Sequence, residues 1–184
     1  RCFEDPNVTH VEGSTDPLRD IEIINTELIM ADLEMIDRRI DKAQKMAKGG
    51  DKRYNHEAEL FTALRDYMNE GNLARTFECP EDDAAMIATS DLLTLRKTIY
   101  AANLGENEVN DPESSRHFTA VRKLAEQEGS QVLPICAKLE ADIAELDDPD
   151  EKAMFMEELG LSESGLDRLI QCSYSLLGLI SFLT

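Results

Sequence analysis

Hydrophobic positions in the first third of the chain recur every three or four residues. One series runs from Ile21 to Met35, and a second, offset series runs from Ile29 to Ala47. This spacing places apolar side chains along stripes of an α-helix. No Gly or Pro interrupts the segment after Pro17, so we predict one long helix with a coiled-coil-like seam. About 28 residues at 1.5 Å each give about 42 Å, and such a helix is expected to project.

A second apolar stripe follows a Gly-Gly break at residues 49–50. The residues of this stripe are Leu60, Phe61, Leu64, Tyr67 and Met68. Two helices joined by a Gly-rich turn predict an antiparallel hairpin in which each helix covers the seam of the other. Asp16 and Asp51 are suited to cap the two helices. A third, shorter helix is expected after Pro80.

The periodicity changes after residue 96. Residues 97–103 and 131–136 are short apolar runs rich in strand formers, and a helical pattern of roughly 15 residues separates them. Strand, helix and strand in this order predict a βαβ unit with parallel strands. Pro134 has no N–H group for a ladder, so its strand is expected at an edge or a bulge. Three more helices are predicted at residues 138–146, 149–159 and 164–178.

Composition adds limits on the class of protein. The 184 residues suit one domain, or one domain with an insertion, and 42% hydrophobic residues are enough for a core. A net charge of −19 argues against a protein that coats nucleic acid with its whole surface. The four cysteines have no C-x-x-C spacing, which favours buried thiols in a reducing cytoplasm over disulfides or zinc. The first residue, Arg1, and the apolar run at 176–183 lead us to expect a fragment of a longer protein.

Ligands of parallel sheets bind beyond the carboxyl ends of the strands. Residues 103–106 and 136–138 follow the two predicted strands. Taken alone, residues 103–106 are more simply explained as a plain turn and residues 136–138 as the first turn of a helix. The two segments become a candidate site because the ends of neighbouring parallel strands lie side by side. The amide of Asn103 carries donors and an acceptor that can address a purine edge. Backbone N–H groups of Ala137 and Lys138, at the start of a helix, can complete a base pocket.

Several longer segments also resemble those of a known family. They are residues 1–5, 21–28, 31–34, 48–52, 92–95, 141–148, 158–161 and 179–184. In this order they resemble the YchF family of Obg-like ATPases along essentially the whole chain. The resemblance implies an α/β fold that is mostly helical by residue count. That fold is a partial Ras-like P-loop NTPase G domain with an inserted antiparallel helical hairpin, or coiled-coil arm.

The resemblance also implies a domain layout and a function. Residues 1–16 would be the end of a G-domain strand and a loop, 17–92 the arm, and 93–184 the C-terminal part of the G domain. The intact protein is expected to hydrolyse ATP with Mg²⁺, to associate with the ribosome and to lie in the cytoplasm.

Asn103 and Glu106 match the family's Asn-x-x-Glu motif, which replaces the guanine-reading Asn-Lys-x-Asp of GTPases. The Asp of that motif accepts from two ring donors that adenine lacks, so its loss removes the preference for guanine. Leu104 replaces the Lys and is expected to form an aliphatic lid over the base. Residues 136–138 match the position of the family's Ser-Ala-Lys base-contact motif. Cys136 differs from the Ser of that motif, but the backbone N–H donors of residues 137 and 138 would remain.

The chain has no G-x-x-x-x-G-K-[ST] segment and no Asp-x-x-Gly switch. The family has its phosphate-binding loop, Mg²⁺ ligand and switches before the matched segment, and a TGS domain after it. We therefore expect no catalytic residue, no metal ligand and no bound nucleotide in this chain. The base pocket alone should bind nucleotide poorly, and the 184 residues alone should be inactive.

Basic residues concentrate at the predicted arm tip. Residues 37–53 hold seven basic and three acidic side chains, a net charge of +4 in an acidic chain. The candidate contacts to RNA or the ribosome are Arg38, Arg39, Lys42, Lys45, Lys48, Lys52 and Arg53. A solvated helix end, whose Lys and Arg favour the C-terminal dipole, explains the same pattern equally well.

Two other functions stay open at this point. One is a non-catalytic helical interaction module that docks a ribosome, an RNA or a protein, and the other is a GTPase, which Leu104 and Glu106 disfavour. The acidic segment 137–168 lacks the spacing of a calcium loop, so we expect a solvated acidic face there and no metal site.

Overall fold

The computed structural model describes residues 1–5, 8, 13–48 and 51–180, with only the backbone of Lys52. The chain divides into two compact units, one formed by Arg1–Arg19 with Lys97–Thr184 and the other by Asp20–Arg96. The helices are α1 (Pro17–Ala47), α2 (Lys52–Asn69), α3 (Glu81–Ala88), α4 (Arg116–Glu128), α5 (Ala137–Ala144), α6 (Pro149–Glu158) and α7 (Gly165–Leu177). The strands are β1 (Ile99–Asn103) and β2 (Gln131–Ile135). The described chain is therefore mostly helical with a small parallel sheet.

The core of the Asp20–Arg96 unit lies along α1 and α2. Its buried members on these helices are Ile29, Ile36, Ile40, Leu60, Phe61, Leu64 and Met68. Only the second of the two predicted apolar series of α1 packs inward. The first series is largely exposed, and Ile24 has 54% of its surface accessible. The prediction did not separate the two series, because both have the same period and only the position of α2 selects one.

The predicted caps of the long helices are present. Oδ1 of Asp16 accepts the Arg19 N–H at 3.2 Å, and Oδ1 of Asp51 accepts the Arg53 N–H at 3.0 Å. Helix α3 begins directly after Pro80, as predicted. The predicted break at residues 49–50 lies outside the described residues.

The sheet of the other unit confirms the predicted parallel pairing. Strands β1 and β2 pair from Ile99 opposite Gln131 to Asn103 opposite Ile135. Helix α4 links the strands and contacts both of them, and α7 contacts β2. The predicted helices at the end of the chain form within two residues of their expected bounds.

Pro134 lies inside the β2 ladder, opposite Ala102. The Gln131 N–H donates to the Thr98 carbonyl at 3.1 Å, and the Leu104 N–H donates to the Ile135 carbonyl at 2.8 Å. A parallel strand bonds to one neighbour through every second residue. The backbone nitrogen of Pro134 therefore points away from β1, and the absence of an N–H group there leaves the hydrogen bonds between β1 and β2 intact.

Residues 1–5 form no strand, although a strand end was expected there. Instead, the Cys2 N–H donates to the Asn103 carbonyl at 2.8 Å, which brings this segment to the end of β1. All four cysteines are free thiols; Cys2 and Cys136 are buried, while Cys79 and Cys172 are half-buried. Among the described residues, no helix has both the length and the apolar character needed to cross a membrane.

Candidate nucleotide-base site and basic helix face

A cavity of about 490 Å³ lies at the carboxyl ends of β1 and β2. Its walls come from residues 3–5, 103–108 and 136–138, all within one compact unit. The six predicted base-site positions, at 103, 104, 106 and 136–138, are therefore brought together around one cavity. The two parallel strands account for this, because each delivers the residue after its last ladder position to the same edge of the sheet.

Asn103 joins the two strand ends. Its Oδ1 atom accepts the backbone N–H of Ala137 at 3.0 Å. Ala137 is the first residue of α5, where N–H groups have no partner within the helix. The amide oxygen of Asn103 is thus used for anchoring, and its Nδ2 group is the donor side that remains.

Glu106 and Lys138 form an ion pair at the cavity wall, between Oε1 and Nζ. The side chains are 45% and 70% exposed, respectively, so the pair faces solvent and any ligand in the cavity. The hydrogen bond to Glu106 and its negative charge raise the pKa of the Lys138 ammonium. Lys138 is therefore held as a cation beside the carboxylate.

Two predicted site residues are buried beneath the cavity. Leu104 has only 1% of its surface accessible, and Cys136 has 3%. The burial of Leu104 weighs against the aliphatic lid expected from the sequence, because a lid must present its side chain to the base. Cys136 packs with Val109 and Leu139 in a small apolar cluster, so its side chain belongs to the core beneath the cavity.

The amino-terminal segment contributes to the cavity through Phe3, Glu4 and Asp5, which the sequence did not mark as site residues. Glu4 pairs with Arg116 at 2.9 Å, and Nε2 of His117 lies 3.5 Å from the same carboxylate oxygen. His117 and Arg116 lower the pKa of Glu4. No local motif places this segment near residue 103, since the two are far apart in sequence; the Cys2 N–H bond to the Asn103 carbonyl is a tertiary contact.

Three of the predicted basic contacts share one exposed face of α1. Arg38, Lys42 and Lys45 follow the i, i+4, i+7 spacing of a helix stripe, and all three are exposed. Lys48 is exposed just beyond the helix end. We call Arg38, Lys42 and Lys45 the basic face.

The other basic candidates differ from the basic face. Arg39 donates from Nε to Glu57 at 2.8 Å, and its guanidinium lies 4.2 Å from the centroid of the Phe61 ring. Arg53 pairs with Asp51 at 2.8 Å. These contacts hold Arg39 within the Asp20–Arg96 unit, whereas the Arg53 side chain is 88% exposed beside its local partner. The side chain of Lys52 lies outside the described residues.

In the described part of the chain, no group of three or more His, Cys, Asp or Glu side chains is arranged to hold a metal ion. The acidic segment 137–168 instead uses some of its carboxylates as caps. Oδ1 of Asp148 accepts the Asp150 N–H at 2.8 Å, and Oε1 of Glu140 accepts the Gly165 N–H at 2.8 Å.

The fold is that of a parallel α/β protein with a cavity at its strand ends and a second, helical unit. No family model matches the chain. A curated relative named ribosome-binding ATPase YchF, from Bacillus subtilis, is 44% identical over all 184 residues, and its Escherichia coli O157:H7 counterpart is 43% identical. The chain belongs to the YchF family along its whole length.

The chain spans half the length of these two relatives. A solved structure described as the Schizosaccharomyces pombe YchF GTPase matches with a TM-score of 0.79. The match covers 96% of this chain and 48% of the other, at 23% identity, and it establishes the similarity of fold.

Proposed function

We propose that this chain supplies the base-binding side of an ATP-hydrolysing, ribosome-associated protein of the cytoplasm. The observation that carries the proposal is the cavity at the ends of β1 and β2, where Asn103 bonds to the first N–H of α5. The relatives are named ribosome-binding ATPases, which supports the same activity and partner.

The chemistry of the cavity suits a purine. Asn103 Nδ2 offers a donor, Glu106 offers an acceptor, and the backbone at the start of α5 offers further donors. In the proposed complex the base lies against these groups, and Leu104 and Cys136 give the wall its rigidity through burial. Purine selection then depends on polar groups that the base must match.

The phosphates and Mg²⁺ need groups that these 184 residues do not provide as a recognisable motif. A phosphate-binding loop supplies backbone N–H groups and a Lys, and a carboxylate or hydroxyl holds the metal. We propose that the intact protein hydrolyses ATP with Mg²⁺ and that the 184-residue chain alone does not. Tight ATP binding by the isolated chain would contradict this part.

Residues 17–92 are proposed to be an inserted antiparallel arm. Supporting contacts are the ion pairs Arg39–Glu57, at 2.8 Å, and Arg65–Asp37, at 3.8 Å. Along these two pairs the α1 position increases from 37 to 39 while the α2 partner decreases from 65 to 57. This is the order expected for antiparallel helices, and the shared apolar core agrees with it.

A titration of the chain with adenosine, guanosine and cytidine, followed by amide chemical shifts, tests the base site. We expect adenosine to shift the signals of Asn103, Ala137 and Lys138 most. Asn103→Asp keeps an oxygen for the Ala137 N–H but removes the Nδ2 donor, so it should weaken these shifts without unfolding the chain. Asn25→Asp makes the same charge change in the Asp20–Arg96 unit, at a residue that does not line the cavity, and is the matched control. Shifts that map elsewhere, or a preference for guanosine, would overturn the proposal of an adenine site.

The ribosome contact is proposed to involve the basic face of α1. Lys42→Glu/Lys45→Glu should weaken ribosome binding and reduce the slope of log affinity against log salt by about one per lysine. Lys123→Glu/Lys152→Glu changes the net charge equally in the other compact unit and should leave binding unchanged. An equal loss of ribosome affinity in both variants, or no loss in either, would contradict a contact through this face.

A further inference from the structure

A carboxylate in a purine pocket creates a problem of selectivity. It has only acceptor groups. The pairing edge of guanine has two neighbouring donors, N1–H and the N2 amino group, whereas adenine has one amino donor beside an acceptor nitrogen. Glu106 lines the cavity and is 45% exposed, so an unpaired Glu106 would favour guanine.

The structure shows why Glu106 is not an unpaired carboxylate. Nζ of Lys138 bonds to Oε1 of Glu106, and both side chains line the same cavity. A bidentate contact to the two guanine donors needs both carboxylate oxygens. One lone pair of Oε1 is then engaged, and the Lys138 ammonium beside it makes this oxygen a poorer acceptor for a second donor. Oε2 is left as the better acceptor, which matches the single amino group of adenine.

We infer that Lys138 is a specificity-determining residue, which favours adenine by occupying one oxygen of Glu106. This inference rests on the proposed base site. It assigns a role to the Lys138 side chain, in addition to its backbone N–H at the start of α5. The lysine is charged at neutral pH, and its raised pKa results from the same hydrogen bond to Glu106.

A purely structural role does not account for the pair equally well. Both side chains are well exposed, and exposed ion pairs contribute little to folding stability. Removal of Lys138 should therefore change ligand selection more clearly than it changes the unfolding midpoint.

The test compares adenosine and guanosine affinities for the native chain, Lys138→Met, Glu106→Gln and the double variant. We expect Lys138→Met to raise the guanosine-to-adenosine affinity ratio about two- to fivefold, which is the contribution of an exposed ion pair. In the double variant this gain should disappear, because the freed carboxylate is absent. Lys123→Met removes an exposed lysine of the same unit and is the matched control, with an unchanged ratio.

The possible outcomes separate this inference from the proposed function. In one outcome, adenosine shifts the amide signals of Asn103 and Ala137 in the native chain, while Lys138→Met leaves the guanosine-to-adenosine affinity ratio unchanged. In that case the role of Lys138 is refuted and the base site stands. If Lys138→Met and Lys123→Met change the ratio equally, the effect is one of net charge and the inference is again refuted. If adenosine at millimolar concentration shifts signals elsewhere in the chain but not those of Asn103, Ala137 and Lys138, the base site itself is refuted.

Discussion

Replacement of Asp32 by asparagine tests the main polar link within the helical unit. Asp32 lies in α1, and its side chain is fully buried. Its Oδ1 accepts the Leu93 N–H at 2.8 Å, and its Oδ2 accepts the Thr94 N–H at 2.8 Å and the Thr94 hydroxyl at 2.7 Å. Thr94 Oγ1 in turn accepts the Ala74 N–H at 3.2 Å. One carboxylate therefore holds the turn at Leu93–Leu95 against α1.

The magnitude follows from the bonds that are lost. A hydrogen bond to a charged group contributes about 1.5–3 kcal/mol, and a buried donor left without a partner costs about 1–3 kcal/mol. Asparagine keeps the volume and one acceptor oxygen, but its NH₂ group would face the backbone N–H of either Leu93 or Thr94. We expect Asp32→Asn to lower the free energy of unfolding by about 3 kcal/mol. Asp32→Ala, which orphans all three donors, should lower it by about 4–5 kcal/mol.

Urea unfolding followed by circular dichroism at neutral pH measures this loss. Asp37→Asn is the matched control on the same helix, because the Asp37 side chain is 62% exposed and lies 3.8 Å from Arg65. It should change the free energy of unfolding by no more than about 0.5 kcal/mol. If Asp32→Asn and Asp37→Asn unfold at the same urea concentration, the carboxylate does not hold the turn and our reasoning fails.

Three further predictions concern other contacts. The 2.6 Å bond to Asp83 raises the pKa of His56 above its ordinary 6.5. The stabilisation from this pair is therefore fully present below pH 6.5 and is lost as the pH rises through the higher folded-state pKa. Urea midpoints should fall over that range, and a fall that persists in His56→Gln would contradict this. Phe61→Ala removes a fully buried ring and should cost about 3–5 kcal/mol in urea unfolding, and a cost below 1 kcal/mol would refute its core role. Ser164→Ala removes the Oγ that accepts the Asp167 N–H at 3.1 Å and should cost about 1 kcal/mol, whereas Ser164→Thr should retain the cap because it keeps a hydroxyl for the Asp167 N–H and carboxylate.

Local sequence signals predicted most elements of the fold. Helix α1 begins at Pro17 and α3 begins directly after Pro80, as predicted, and Asp16 and Asp51 cap as expected. These features depend on residues a few positions apart, so the chain carries the information locally. The parallel order of β1 and β2 was predictable because a helix between two strands leaves little other choice.

The candidate base site was predictable only in part. Strand ends in a parallel pair meet at one edge, so the proximity of Asn103 to Ala137 followed from the βαβ unit. The contribution of Phe3 and the burial of Leu104 did not follow, because each depends on chain segments that no sequence spacing relates.

The sequence by itself determined the period of each helix, the order of the elements and the position of the strand ends, since these result from local spacing and connectivity. The tertiary structure alone decided which stripe of α1 is buried, which places Ile36 inside and leaves Ile24 exposed. It also decided that Arg39 contacts Glu57 and Phe61, whereas Arg38 is exposed. Burial and side-chain pairing depend on which distant element packs against a residue, and a repeating pattern along the chain does not encode that choice.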